Sequence, residues 1–136
     1  MGDSRLYFFR AGRLLHRTED HTYAQQLRNE GRFDDAEVAS VRYKNVLVSA
    51  LGIETKPKVD LGEERELQVG DVFLLASDGL WAYFTDEELA NVLGRMAPRP
   101  ASEYLVARAR ERGDGRGDNC SLAIVRLDPP VAVRPG

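Results

Sequence analysis

Short apolar runs separated by turn residues dominate the start of the chain. Leu6 to Phe9 are continuously apolar or aromatic, Ala11-Gly12 follow, and Leu14-Leu15 resume the apolar pattern. β-favouring residues on both sides of a glycine-containing turn predict a hairpin of two short strands. A domain that begins at a strand lacks the usual preceding turn or cap, so we expect an upstream portion of the fold to be missing.

The next pattern has helical spacing. Tyr23 and Leu27 are four residues apart, which predicts one face of a short helix, with Asp20 or Thr22 as its cap and Gly31 at its end. The pair formed by Asp34 and Glu37 has the spacing of a capping box and predicts a second short helix.

The middle of the chain favours strands. Val59 and Leu61, and then the continuously apolar Val72 to Ala76 after Gly70-Asp71, predict a strand, a turn and a buried strand at the centre of the core. The run from Val46 to Leu51 is too short to assign as helix or strand, so both remain open.

Helical spacing returns in the last third. Thr85 with Glu88 is a capping box that predicts a helix ending before Pro98 and Pro100, and a further helix is expected to begin at Ser102. Three aromatic residues, Trp81, Tyr83 and Phe84, are expected to cover the core beneath the first of these helices. The final pattern is a glycine-rich loop over 113–117, a strand from Leu122 to Leu127, and a tail.

Composition narrows the class of protein. The chain has 136 residues, which is enough for one domain, and we expect residues 1–127 to form a partial domain and 128–136 a disordered tail. A net charge of -3 disfavours nucleic-acid binding. The sequence has no secretion signal, no apolar stretch that could span a membrane and a single cysteine, Cys120, which together predict a cytoplasmic protein without a membrane partner.

Three aspartates stand where a predicted strand meets a loop. Asp3 precedes the first strand, Asp78 follows the buried strand, and Asp118 precedes the last strand. Carboxylates that converge at the edge of a sheet repel one another unless a divalent cation neutralises them, and their hard oxygen donors suit Mg²⁺ or Mn²⁺. Each could equally be a turn or capping carboxylate, because aspartate is common in loops for local hydrogen bonding.

Ordered motifs give these aspartates a family resemblance. Gly2-Asp3-Ser4-Arg5, Asp20-His21, Asn45 to Gly52, Gly70 to Leu80 and Gly117-Asp118-Asn119 occur in the order typical of PP2C-type metal-dependent serine/threonine phosphatases. The chain resembles the carboxy-terminal part of the bacterial form. The resemblance implies an α+β fold, part of an α-β-β-α sandwich of two antiparallel sheets flanked by helices, with the amino-terminal portion missing.

The resemblance also implies a site and an activity. Asp78 and Asp118 would bind the catalytic Mn²⁺ or Mg²⁺ ions, and Asp3 would contribute to a weaker third site. A metal-activated water would then hydrolyse phosphoserine or phosphothreonine in a protein substrate, with a serine/threonine kinase as a possible cognate partner. The upstream residues that complete this metal shell in the family are absent, so we expect the chain alone to be inactive or weak.

Two other functions have to be weighed. Ser4 in Gly2-Asp3-Ser4 could be the nucleophile of an esterase, but such enzymes need a late histidine base and no histidine follows His21. A non-catalytic phosphatase-like remnant that acts as a binding or regulatory module stays open. His21 itself is expected to be a hydrogen-bonded structural histidine at a helix start.

Overall fold

The chain folds as an α+β protein. The computed structural model describes residues 2–31, 46–53, 55–114 and 119–130. These residues divide into two compact units, one made of Met1–Arg5 with Thr18–Glu63 and the other of Leu6–Arg17 with Glu64–Gly136. Each unit is described by itself below.

The second unit contains a four-stranded sheet. Its strands are β1 (Arg5–Arg10), β2 (Arg13–Arg17), β3 (Val72–Ala76) and β4 (Leu122–Arg126). Their spatial order is β2-β1-β3-β4, and the pairs β1–β2 and β3–β4 are antiparallel. This is one sheet of the kind expected for the predicted sandwich.

The predicted hairpin is confirmed. Arg10 pairs with Arg13 across a two-residue turn, in which Ala11 and Gly12 have φ angles of 49° and 72°. Positive φ at both central positions is the geometry whose twist matches the flanking strands, and glycine adopts it without steric cost. Gly94 approaches this turn so closely that a Cβ there would lie 3.2 Å from the Cα of Gly12.

Four helices accompany these strands within the described residues. In the first unit α1 is Tyr23–Asn29, and in the second α2 is Asp78–Trp81, α3 is Asp86–Arg95 and α4 is Pro98–Arg112. Thr85 and Glu88 form the predicted capping box of α3. Among the described residues, none of these helices has the length and apolar character needed to cross a membrane.

The core of the second unit lies between one face of the sheet and helices α2 to α4. The strand residues Phe9 and Leu74 and the helix residues Leu80, Leu89 and Leu105 are all buried there. The predicted cover is confirmed, because Trp81, Tyr83 and Phe84 pack against the same cluster. On the opposite face of the sheet, the rings of Phe8 and Phe73 stack with centroids 4.7 Å apart.

Two predictions were wrong and a third was only partly right, each for a physical reason. The last helix begins at Pro98 rather than Ser102, because the first turn of a helix does not use its N–H groups and accepts proline there. Residues 57–68 contain no strand, and Val59 and Leu61 are exposed. β3 is buried on one face only, since Leu75 is 46% exposed, as expected for an antiparallel sheet with helices on one side.

Helix α1 also differs in its details. Thr22 is its N-cap, with its hydroxyl accepting a hydrogen bond from the Gln25 N–H, and Asp20 instead accepts from Arg5. Ala24 and Leu27 form the buried face, whereas Tyr23 is exposed. The predicted helix at Asp34 to Glu37 and most of the predicted tail lie outside the described residues.

A buried ion pair ties β1 to the turn that starts β3. The Arg10 guanidinium donates to both carboxylate oxygens of Asp71 at 2.7 and 2.8 Å, and the Gln68 N–H donates to Asp71 Oδ2 at 2.8 Å. Asp71 is fully buried. The side-chain hydrogen bond from Arg10 lowers the pKa of Asp71 from its ordinary value of 3.8.

This pair predicts a specific acid sensitivity. A carboxylate whose pKa is lowered by folding stabilises the protein above its unfolded-state pKa, and that stabilisation is lost as pH falls through the folded-state pKa. We expect the Tm of the wild type to fall steeply below about pH 4, and Asp71→Asn to lower the Tm by several degrees at neutral pH while flattening the acid slope. Thermal unfolding followed by circular dichroism between pH 2 and 7 measures both. Glu103→Gln, which removes the exposed partner of Arg99, is the control and should change neither; an unchanged slope in Asp71→Asn would contradict the assignment.

Candidate metal centre

Asp78 lies where the central strand β3 ends. It is the first residue of α2, directly after Ser77, and is partly exposed. Its Oδ1 accepts a hydrogen bond of 2.9 Å from the N–H of Gly79. The carboxylate is therefore carried by a rigid junction between a strand and a helix and keeps oxygen lone pairs for a ligand.

The strand pairing continues past the end of β3. The last ladder pair is Ala76 with Leu122, and beyond it the Ser77 N–H donates to the Ser121 carbonyl at 3.0 Å. The Ser77 hydroxyl accepts from the Ser121 N–H at 3.0 Å and donates to the Asn119 carbonyl at 3.3 Å. Three hydrogen bonds thus fix the residue before Asp78 to the segment that leads into β4.

Asp118, the second predicted ligand, lies outside the described residues. Asn119, its neighbour in sequence, is described and is one of the residues that Ser77 contacts. The structure therefore leaves the predicted meeting of Asp78 and Asp118 as a prediction.

Asp3, the third predicted ligand, belongs to the first unit. It follows Gly2, whose φ is 79° and whose backbone N–H and carbonyl both form hydrogen bonds. The Gly2 N–H donates to the Ser49 carbonyl at 3.1 Å, and its carbonyl accepts from the His21 N–H at 2.8 Å. Asp3 is partly exposed and directly follows this fixed backbone.

The donor chemistry at these positions suits hard divalent cations, because Asp3 and Asp78 offer carboxylate oxygens. Within the part of the chain that the structure describes, however, no three His, Cys, Asp or Glu side chains come together as a metal site. A carboxylate without further ligands does not fix a metal in one geometry.

Comparison with characterised proteins gives these residues a context. No family model matches the chain. It is 38% identical over 125 residues to the serine/threonine protein phosphatase PstP of Mycobacterium tuberculosis, covering 91% of this chain and 23% of that protein. It is also 29% identical to a putative protein phosphatase 2C-type of Streptococcus pyogenes, covering 92% of this chain and 50% of that protein.

Solved structures agree. A serine/threonine phosphatase of S. agalactiae superposes with a TM-score of 0.80 at 32% identity, covering 93% of this chain and 52% of that one. The chain is a homologue of the PP2C-type serine/threonine phosphatases. The catalytic domain of PstP in complex with two manganese ions matches with a TM-score of 0.67 at 31% identity, over 93% of this chain and 51% of that one.

The predicted PP2C resemblance and the α+β fold are thus confirmed. The chain spans about half the length of the solved phosphatases that it matches, and between a quarter and half of the curated relatives. This share is consistent with the carboxy-terminal part of a PP2C-type phosphatase.

The sequence motifs did not reveal two of the contacts that hold this PP2C-like segment together. The hydroxyl of Ser77 bridges two strands, although the motif Ser77-Asp78-Gly79 drew attention to its carboxylate alone. His21 is the buried, hydrogen-bonded histidine that was predicted, but its partner Asp60 was missed because it lies 39 residues away. The sequence did contain a signal for this contact, because Asp60 is a charged residue between the apolar residues Val59 and Leu61.

Cys120 is a partly buried thiol rather than a reactive one. It lies in the PP2C-like segment between Asn119 and β4. Burial raises the pKa of this thiol above its ordinary value, and the charge of Arg110 opposes that rise to a smaller extent. A thiol with a raised pKa is a poor nucleophile at neutral pH.

We expect Ser77→Ala to loosen the junction that carries Asp78. Removing the hydroxyl deletes the acceptor of the Ser121 N–H, while the backbone bond between Ser77 and Ser121 and the ladder of β3 with β4 remain. Amide hydrogen exchange followed by NMR should show faster exchange at Ser121 and unchanged exchange in the middle of β4. The matched control is Ser102→Ala, which removes an exposed hydroxyl bonded to the Arg99 carbonyl. Unaltered protection of Ser121 in Ser77→Ala would show that the hydroxyl bridge does not restrain this junction.

Proposed function

We propose that this chain supplies half of the metal shell of a PP2C-type protein phosphatase. In this proposal Asp78 and Asp118 hold the catalytic Mn²⁺ or Mg²⁺ ions, and Asp3 serves an auxiliary ion. The substrate class is phosphoserine or phosphothreonine in proteins. The proposal rests on the family relationship for its chemistry and on the contacts of Ser77 for its geometry.

One observation carries the geometric part. In an antiparallel pair, residues beyond the last ladder pair stay opposite one another as long as the hydrogen bonds continue. Ser77 remains bonded to Ser121 and Asn119, so Asp78 and the described start of the segment that leads into β4 lie at the same edge of the sheet. We infer that the carboxylates of Asp78 and Asp118 lie close enough at this edge to share a metal ion.

The contribution of the chain's own residues follows from their chemistry. Asp78 and Asp118 have carboxylate oxygen donors, and two such groups at one edge would favour a divalent cation between them. When bound, the ions would supply a water nucleophile at neutral pH and neutralise charge on the phosphoryl group. No side-chain nucleophile is then required, which agrees with the unreactive setting of Cys120.

Catalysis by this chain alone is not part of the proposal. The described residues hold no cluster of three or more ligating side chains, and the chain covers about half of the phosphatases that it matches. We propose that hydrolysis requires the remaining half of the domain. Where no such half completes the domain, we expect the second candidate, a regulatory or binding module that lacks catalysis.

Asp118→Asn tests the enzymatic proposal in a complete domain, with this chain joined to the upstream half of a phosphatase. Replacing one ligand oxygen by an amide weakens metal binding, and even the groups behind metal ligands cost about 10- to 100-fold when removed. We therefore expect turnover of a phosphoaryl ester with Mn²⁺ to fall by at least about 100-fold, with the circular dichroism spectrum unchanged. Asp114→Asn is the matched control, since Asp114 is an exposed residue of the same loop whose positive φ asparagine tolerates. Activity close to wild type in Asp118→Asn would contradict the metal assignment.

Titration of the isolated chain with Mn²⁺ tests the need for a second half. Because two or three carboxylates cannot complete a metal coordination shell, we expect a Kd no tighter than about 10⁻⁴ M. Isothermal titration calorimetry measures this affinity, and Asp78→Asn should weaken the residual binding further. Tight binding of two ions by the chain alone would show that its own residues form a complete centre, against the proposal.

A further inference from the structure

Gly2 is held by a closed ring of contacts within the first unit. Its carbonyl accepts from the His21 N–H at 2.8 Å, and its own N–H donates to the Ser49 carbonyl at 3.1 Å. The Ser49 hydroxyl in turn accepts from the N–H of Lys58 at 2.7 Å. Two residues later along the chain, Asp60 Oδ2 lies 2.6 Å from Nε2 of His21 and closes the ring.

The side chain of His21 is buried and is oriented by its hydrogen bond with Asp60. Its side chain is 5% exposed, while that of Asp60 is 57% exposed. Asp60 accepts the hydrogen bond of His21, and this contact lowers the pKa of Asp60 from its ordinary value of 3.8. An ionised carboxylate can only accept, so Nε2 carries the proton and donates. Among the described residues His21 Nδ1 has no hydrogen-bond partner, so Asp60 alone fixes the orientation of the ring through a side-chain bond.

The backbone of His21 links the ring to its surroundings. Its carbonyl accepts from the Val48 N–H at 2.8 Å, in addition to the hydrogen bond that its own N–H donates to Gly2. His21 therefore combines a side-chain hydrogen bond to Asp60 with backbone hydrogen bonds to Gly2 and Val48. Restraint at Gly2 matters because its φ of 79° is one of several that glycine can adopt, and this angle sets the direction in which the chain continues into Asp3.

We propose that His21 and Asp60 form a positioning pair that orients the carboxylate of Asp3. The pair acts through the backbone of Gly2, and neither residue is assigned a contact with metal or substrate. This inference rests on the proposed function, in which Asp3 serves an auxiliary metal ion, because orientation of Asp3 has a functional consequence in that case.

The test uses the full chain of 136 residues and three substitutions. Asp60→Ala removes the acceptor of His21, whereas Asp60→Asn keeps an acceptor oxygen at the same place. Asp128→Ala is the matched control, because Asp128 is another exposed aspartate that pairs with a cation, Arg126. Since Asp60 is more than half exposed, its replacement should leave the fold intact, which the NMR spectrum of α1 verifies.

Backbone ¹⁵N relaxation at Asp3 is the first readout. We expect the order parameter to fall from a value near that of rigid backbone, about 0.85, to below about 0.6 in Asp60→Ala. Asp60→Asn should restore the wild-type value, and Asp128→Ala should leave it unchanged. An order parameter at Asp3 that is the same in Asp60→Ala and wild type would overturn the inference, as would equal losses in Asp60→Ala and Asp60→Asn.

Paramagnetic broadening of the Asp3 amide by Mn²⁺ is the second readout. We expect the Mn²⁺ concentration for half-maximal broadening to rise several-fold in Asp60→Ala and to return in Asp60→Asn. Equal Mn²⁺ dependence in all four proteins would overturn the role of the pair in orienting a ligand. If Asp3 loses order in Asp60→Ala but Mn²⁺ broadens Asp3 in none of the proteins, the positioning pair is supported and the proposed auxiliary metal site fails.

Discussion

The antiparallel ladder between β3 and β4 determines where Asp78 leaves the sheet. At one end, the Gly70 N–H donates to the Leu127 carbonyl and the Leu127 N–H to the Asp71 carbonyl. At the other end, Ser77 is bonded to Ser121. A one-residue slip would exchange the two faces of β4 and break both closures, so the register is specified at each end. The edge from which Asp78 leaves the sheet is therefore set by pairing that begins six residues earlier.

The buried charge of Asp71 extends this constraint to a third strand. Its carboxylate binds Arg10 at the end of β1, while its backbone carbonyl binds Leu127 beyond β4. A buried carboxylate without its guanidinium partner is strongly unfavourable, so β1 and β3 are fixed to each other at the end of the sheet remote from Asp78. The start of β3 is thus held to the neighbouring strands through Asp71, whereas the end of β3 leads into Asp78.

Local signals in the sequence predicted those elements whose causes are local. The hairpin at Ala11-Gly12 and the capping box of Thr85 with Glu88 depend on a few neighbouring residues and were predicted correctly. The helix capped by Thr85 ends before Pro98 as predicted, but the start of the next helix was placed too late, at Ser102, because proline is accepted in the first turn of a helix. The ordered motifs predicted the family resemblance correctly, whereas the metal-binding role of the acidic residues stays a prediction. The hydroxyl of Ser77 and the pairing of His21 with Asp60 could not be predicted, since each joins residues about 40 positions apart.

The aspartate side chains differ in the groups with which they form hydrogen bonds. Asp71 binds a guanidinium with both oxygens, and Asp20 binds Arg5 in the same bidentate way, so each of these aspartates has an internal cation. Asp78 instead accepts from the N–H of the adjacent Gly79. A carboxylate that is matched by a neighbouring guanidinium gains little from a metal ion, whereas one bonded to a backbone N–H still carries charge to be neutralised. The hydrogen-bond partners therefore separate Asp71 and Asp20, whose charges are matched within the fold, from Asp78, which has a backbone N–H as its partner.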